Sequence, residues 1–141
     1  MLVDANLLLY AVDERSPHHV RTGPWWREQL EGSSRVGLPW SSLGAFLRVM
    51  TNPRITQAPL SADQAWQHVA DWLASDVTWI PAPSARYAEI LGGLLIRHHV
   101  AGNLVTDAQV AALAIEHGLT IYSADSDFAR FPEVRWINPL H

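Results

Sequence analysis

With 141 residues, 48% of them apolar and 17% charged, the chain has the composition of a folded domain with a sizeable core rather than a disordered segment. It has no cysteine, which excludes disulfides and any thiolate ligand or nucleophile, and its net charge of −4 argues against a general nucleic-acid coat protein. No signal segment leads the chain and no apolar run nears membrane-spanning length, so a cytoplasmic protein is expected.

Residues 1–3 read as a short buried strand, and 5–12 as the helix that follows. Ser16-Pro17 looks like a helix start with proline at the first helical position, the helix running through Trp25 and Trp26 to about Leu30. Gly23-Pro24 is expected to break or kink it. Residues 35–38 form a strand candidate, and a helix runs from about Ser41 to Met50. Asn52-Pro53 ends that helix, and 52–60 is a loop rich in proline and polar residues. Ser61-Ala-Asp-Gln64 matches a capping box and starts a helix reaching about Ala74. Residues 77–80 are a strand, 85–98 a helix, 104–116 a regular helix stopped by Gly118, and 119–122 a strand. A short helical turn over 126–131 and a last strand over 134–137 complete the chain. Strands alternating with helices give an α/β fold, one domain over 1–141 with a mostly parallel sheet and helices on both faces. The seven tryptophans are scattered, so most are read as core or interface packing.

Chemistry concentrates at three aspartates: Asp4, Asp107 and Asp125, each at the end of an apolar run. Each has a capping explanation. Asp4 stands between strand and helix as an N-cap, Asp107 follows Thr106 in a capping-box pattern with Gln109, and Asp125 and Asp127 sit in a turn suited to Asx side chains. In open α/β sheets, however, ligands bind beyond the carboxyl ends of the strands. Three carboxylates gathered there repel one another unless a cation sits between them, which points to a hard divalent ion, Mg²⁺ or Mn²⁺. Such a site polarises a phosphodiester and activates water. Asp4 is expected to contribute most, with Ser123 and Thr106 ordering carboxylates or a water. The adjacent pairs His18-His19 and His98-His99 lack the spacing of a zinc helix, and no serine sits in a nucleophile elbow. All ten basic residues are arginine, a composition bias or a set of bidentate phosphate contacts.

Val3-Asp-Ala-Asn6, Phe46-Leu-Arg-Val-Met-Thr-Asn-Pro53, Thr106-Asp-Ala108 and Ser123-Ala-Asp-Ser-Asp-Phe128 together resemble the PIN domain. Over nearly its whole length the chain is similar to the VapC toxins of bacterial VapBC toxin–antitoxin pairs, especially the mycobacterial type. The resemblance implies a Mg²⁺- or Mn²⁺-dependent endoribonuclease cutting structured RNA such as tRNA or ribosomal RNA. It also implies a homodimer and inhibition by a cognate VapB-type antitoxin. Carried over by position, Asp4, Asp107 and Asp125 are the acidic metal-site residues, supported by Asn6 and Asp127. One departure stands out. The family usually has a glutamate three residues before the arginine of the middle helix, and here that position is Ala45. Either the three aspartates with Asp127 and water then complete the metal shell, or Ser41 or Ser42 supplies a neutral ligand; Arg48 either contacts phosphate or a site carboxylate, or is an ordinary exposed helix residue. Losing one acid weakens cation binding, since affinity follows ligand charge. The competing reading is a catalytically weak PIN-fold module that binds RNA or a partner; a phosphatase or DNA nuclease on the same edge is a third.

Overall fold

Five two-residue strands carry the architecture in a computed structural model that describes all 141 residues. In chain order they are β1 (Leu2–Val3), β2 (Val36–Gly37), β3 (Thr78–Trp79), β4 (Ile121–Tyr122) and β5 (Trp136–Ile137). All pairings are parallel and the sheet order is β3-β2-β1-β4-β5, so β1 is central. The chain winds from β1 to one side and then returns to the other. Beyond β1, between β2 and β4, lies the crevice where such sheets hold ligands.

The helices are α1 (Ala5–Val12), α2 (His19–Glu31), α3 (Trp40–Met50), α4 (Ala62–Leu73), α5 (Tyr87–Arg97) and α6 (Leu104–His117), with a 3-10 helix at Ser126–Arg130. Strand alternation sends Val3 and Leu2 to opposite faces, and each anchors its own core. Val3 packs with Leu7, Leu8, Leu43, Phe46, Val69 and Trp72 under α1 to α4. Leu2 packs with Leu94, Ala111, Leu113, Phe128 and Phe131 under α5, α6 and the 3-10 helix. Three layers result, as the alternating pattern implies.

Local signals fix several boundaries. Ser61 and Gln64 form the reciprocal capping box at the start of α4. Gly118 ends α6 in the left-handed region at φ 66°, and Leu119 N–H then bonds the Ala114 carbonyl. Gly37 has a different reason: a Cβ there would lie 2.9 Å from the Met1 carbonyl oxygen and 3.2 Å from Pro81 Cγ. One helix start differs from expectation. α2 begins at His19, so Pro17 precedes the helix instead of opening it. Pro24 then lies inside α2 without ending it. α6 begins at Leu104 as expected, with Asn103 at its N-cap, so Thr106 lies within the helix and not at a capping position.

Candidate metal centre

Asp4 follows β1 directly, and its N–H bonds the Tyr122 carbonyl at 3.0 Å, holding the ends of β1 and β4 side by side. Its Oδ1 accepts from Ala5 N–H at 2.9 Å, the capping bond expected of an aspartate between strand and helix. Oδ2 accepts from the Ser123 hydroxyl at 2.8 Å and from Asn6 Nδ2 at 3.4 Å. Ser123 Oγ in turn accepts from Asn6 Nδ2 at 3.0 Å and from Asp125 N–H at 3.0 Å, while Asn6 Oδ1 accepts from Ala124 N–H. Ser123 is fully buried. This network ties α1, the end of β4 and the turn before the 3-10 helix into one rigid base. Burial pushes the Asp4 carboxyl above its ordinary value, against the hydrogen bonds from Ser123 and Ala5, and the Asp125 charge adds to the rise.

A second group of carboxylates stands over that base. Asp107 in the first turn of α6, Asp125 at the N-cap of the 3-10 helix and Asp127 within it each offer an oxygen, all within 4.8 Å of one another. Asp125 Oδ1 is used locally, accepting from Asp127 N–H at 2.9 Å. Asp107 receives no hydrogen bond from any protein group, and its pKa is pushed up to about 6. Partial burial is the largest cause, followed by the charges of Asp125, Asp4 and Asp127. Three oxygen donors of one sign, converging without an internal counter-charge, suit a hard cation such as Mg²⁺ or Mn²⁺. The nearest basic group is peripheral: Arg130 Nε lies 4.0 Å from Asp127 Oδ1, with both side chains about half exposed.

The other residues expected at the site divide. Asn6 and Ser123 join the network as described, and Asp127 belongs to the converging trio rather than to its surroundings. Asp4 lies outside that 4.8 Å grouping; its oxygens accept from Ala5, Ser123 and Asn6, which fix the carboxylate and leave it lone pairs toward the edge. Thr106 is exposed and makes no side-chain hydrogen bond to any carboxylate, because α6 starts a half-turn before it. Ser42 is buried, and its hydroxyl donates to the Val3 carbonyl at 2.8 Å; it anchors α3 to β1 instead of pointing a ligand at the site. Arg48 is exposed on α3 and forms no ion pair with a site aspartate. Ala45 leaves α3 without an acid, so the carboxylates come from α6, the end of β1 and the 3-10 turn alone. The spacing Asp125-Ser-Asp127 in a tight turn was the available signal for Asp127, since a 3-10 turn brings such neighbours onto one side.

Residues 1–134 match the family described as PIN domain. Among known proteins, the chain is 45% identical over 138 residues to ribonuclease VapC37 of Mycobacterium tuberculosis, covering 98% of this chain and 96% of that one. It is 39% identical over 140 residues to ribonuclease VapC33 of the same species, covering 99% and 98%. Among solved structures, VapBC2 from Rickettsia felis bound to a promoter DNA fragment aligns with a TM-score of 0.70 at 16% identity, covering 97% of this chain and 96% of that one. Mycobacterium tuberculosis VapC20, described as a sarcin-ricin loop cleaving toxin, aligns with a TM-score of 0.66 at 21% identity, covering 95% and 98%.

Proposed function

This chain belongs to the PIN-domain family, and we propose that it is a VapC-type toxin: a divalent-metal-dependent endoribonuclease that hydrolyses phosphodiester bonds in structured RNA. The observation that carries the reading is the convergence of the Asp107, Asp125 and Asp127 carboxylates beyond the carboxyl end of the sheet. The near-full-length similarity to proteins named ribonucleases supports the reaction class.

Asp107, Asp125 and Asp127 would hold the ion, with Asp4 adding charge from below. A bound divalent cation polarises a phosphodiester oxygen and eases deprotonation of a nearby water. The Asp107 carboxyl, raised to about 6 by burial and its neighbours, is mostly ionised at neutral pH, so its charge would be available to the ion. Ser123 and Asn6 keep Asp4 in one rotamer, presenting a fixed carboxylate that orders a water against the scissile phosphate. Arg130 and Arg48, both exposed, are the cations assigned to the RNA backbone.

In this reading residues 1–141 act as one PIN-like domain, working in the cytoplasm as a homodimer under the control of a VapB-type antitoxin. Structural neighbours solved as VapBC assemblies support that partner. No helix is long and apolar enough to cross a membrane. The absence of an acid on α3 favours a second reading, a PIN-fold module that binds RNA or a partner with little turnover. Cleavage separates the two. Purified wild-type protein should fragment total RNA with Mg²⁺ or Mn²⁺, stop with chelator, and lose activity by about a hundredfold or more as Asp107→Asn. Intact RNA in every lane would favour the binding module. Equal cleavage by wild type and variant would remove the aspartate site from the reaction.

A further inference from the structure

Two of the seven tryptophans, most of which are expected in core or interface packing, stand exposed outside the core. Trp40 opens α3 and Trp66 sits in α4; they are 50% and 48% exposed. Their rings are parallel within 2°, with centroids 6.5 Å apart. Trp26 and Trp72 show the contrast: they are buried and meet edge to face. Trp66 and Arg48 line one hollow with Leu47, Thr51 and Ala62, a surface with a guanidinium and no carboxylate. Trp40 and Ser41 line a second cleft with Gln109, which lies two residues beyond Asp107 on α6. The Ser42 hydroxyl fastens the same turn of α3 to the Val3 carbonyl, one residue before Asp4. Trp40, three residues past the end of β2, stands at the carboxyl edge of the sheet, and the aromatic pair is joined by clefts to α6 and to Arg48.

We propose that Trp40 and Trp66 form a stacking platform for unpaired bases of the RNA, with Arg48 on the adjoining phosphate. This rests on the ribonuclease reading and deepens it by assigning base contacts to two residues outside the aspartate cluster, which unpaired bases can use and a continuous duplex cannot. The chemistry favours a base over a protein side chain. Parallel, flat, exposed π-faces match base faces, a cation beside them matches the backbone, and every base has a π-face to offer. An A-form duplex keeps its base faces covered and its deep groove closed to side chains, so it cannot use the platform.

The test measures dissociation constants by fluorescence anisotropy for an unstructured oligoribonucleotide and a blunt RNA duplex. Each protein carries Asp107→Asn so that substrate survives, and each is checked for a native thermal transition. Trp40→Ala and Trp66→Ala should each weaken oligonucleotide binding by about tenfold, with duplex binding changed by less than about twofold. Trp66→Phe, which keeps a flat ring, should restore most of the affinity. Unchanged oligonucleotide binding overturns the platform, as does an equal loss on the duplex. A change of molecular mass in light scattering on Trp66→Ala also overturns it, by assigning the face to protein contact. The two readings fail separately. If wild-type protein cleaves RNA but the alanine variants bind normally, the platform alone falls. If wild-type protein does not cleave but the tryptophans govern oligonucleotide binding, the nuclease reading alone falls.

Discussion

Asp107 is the residue on which the chemistry at the sheet edge turns. It has three carboxylate neighbours, no hydrogen-bond donor, and a pKa of about 6. The sign of the stability effect follows from that rise. In the folded protein the protonated form is favoured relative to the unfolded chain, whose carboxyl titrates near its ordinary value. Without divalent ions, the protein is then most stable below about pH 4 with respect to this group and loses that stability as pH rises through about 6. A cation removes the repulsion only once the proton is gone. Millimolar Mg²⁺ should therefore raise the melting temperature at about pH 7.5 and have little effect at about pH 5, which differential scanning fluorimetry reads directly. An increase of the same size at both pH values would place the ion elsewhere. Ser123 makes a second test. Its buried hydroxyl serves Asp4, Asn6 and Asp125 N–H at once, so Ser123→Ala strands several groups. A loss of about 1–3 kcal/mol in urea unfolding is expected, with weaker cation binding alongside it.

Among the secondary-structure elements, close approach and local signals decide most of the geometry. Gly37 in β2 has no room for a Cβ against Met1 and Pro81, whereas Gly92 in α5 has nothing within 4 Å of that position. Gly37→Ala should cost about 1–3 kcal/mol by overpacking beside the central strand. Gly92→Ala should stabilise by up to about 1 kcal/mol by favouring the helix. Chemical denaturation of the pair checks both signs at once. The same contrast explains how much was legible beforehand. The capping box at Ser61, the stop at Gly118 and the alternation of strands and helices are local, and each appears in the structure where the residues signal it. The start of α6 at Leu104 was legible too, whereas the capping-box pattern at Thr106 and Gln109 falls inside the helix and caps nothing. The bond of the Ser42 hydroxyl to a carbonyl on β1, 39 residues away in sequence, has no local signal. Exposure of Trp40 and Trp66 is equally non-local, since it depends on α3 meeting α4.

For the molecule as a whole, the parallel order β3-β2-β1-β4-β5 is what converts dispersed aspartates into a site. It puts the end of β1 beside the end of β4, brings Asp4 to Ser123 across 119 positions, and leaves α6 to carry Asp107 over the same edge. The sequence disclosed that edge and three of its acids. It ranked Asp4 first, because centrality in the sheet can be read from chain order, while the hydrogen bonds from Ala5, Ser123 and Asn6 that fix its carboxylate cannot. It set Asp127 in a supporting place; the Asp125-Ser-Asp127 spacing in the expected helical turn was a local signal for it, while the approach of Asp107 on α6 is non-local. Fold and family follow from pattern and similarity, whereas the division between a charged base and a converging trio follows from geometry alone. That division is the central claim, and manganese titration tests it most directly. Free Mn²⁺ followed by electron paramagnetic resonance should reveal binding by the wild-type protein at about millimolar concentration or below, weakened by about tenfold or more in each of Asp107→Asn, Asp125→Asn and Asp127→Asn. Absence of Mn²⁺ binding by the wild type, or undiminished binding by all three variants, would contradict the account.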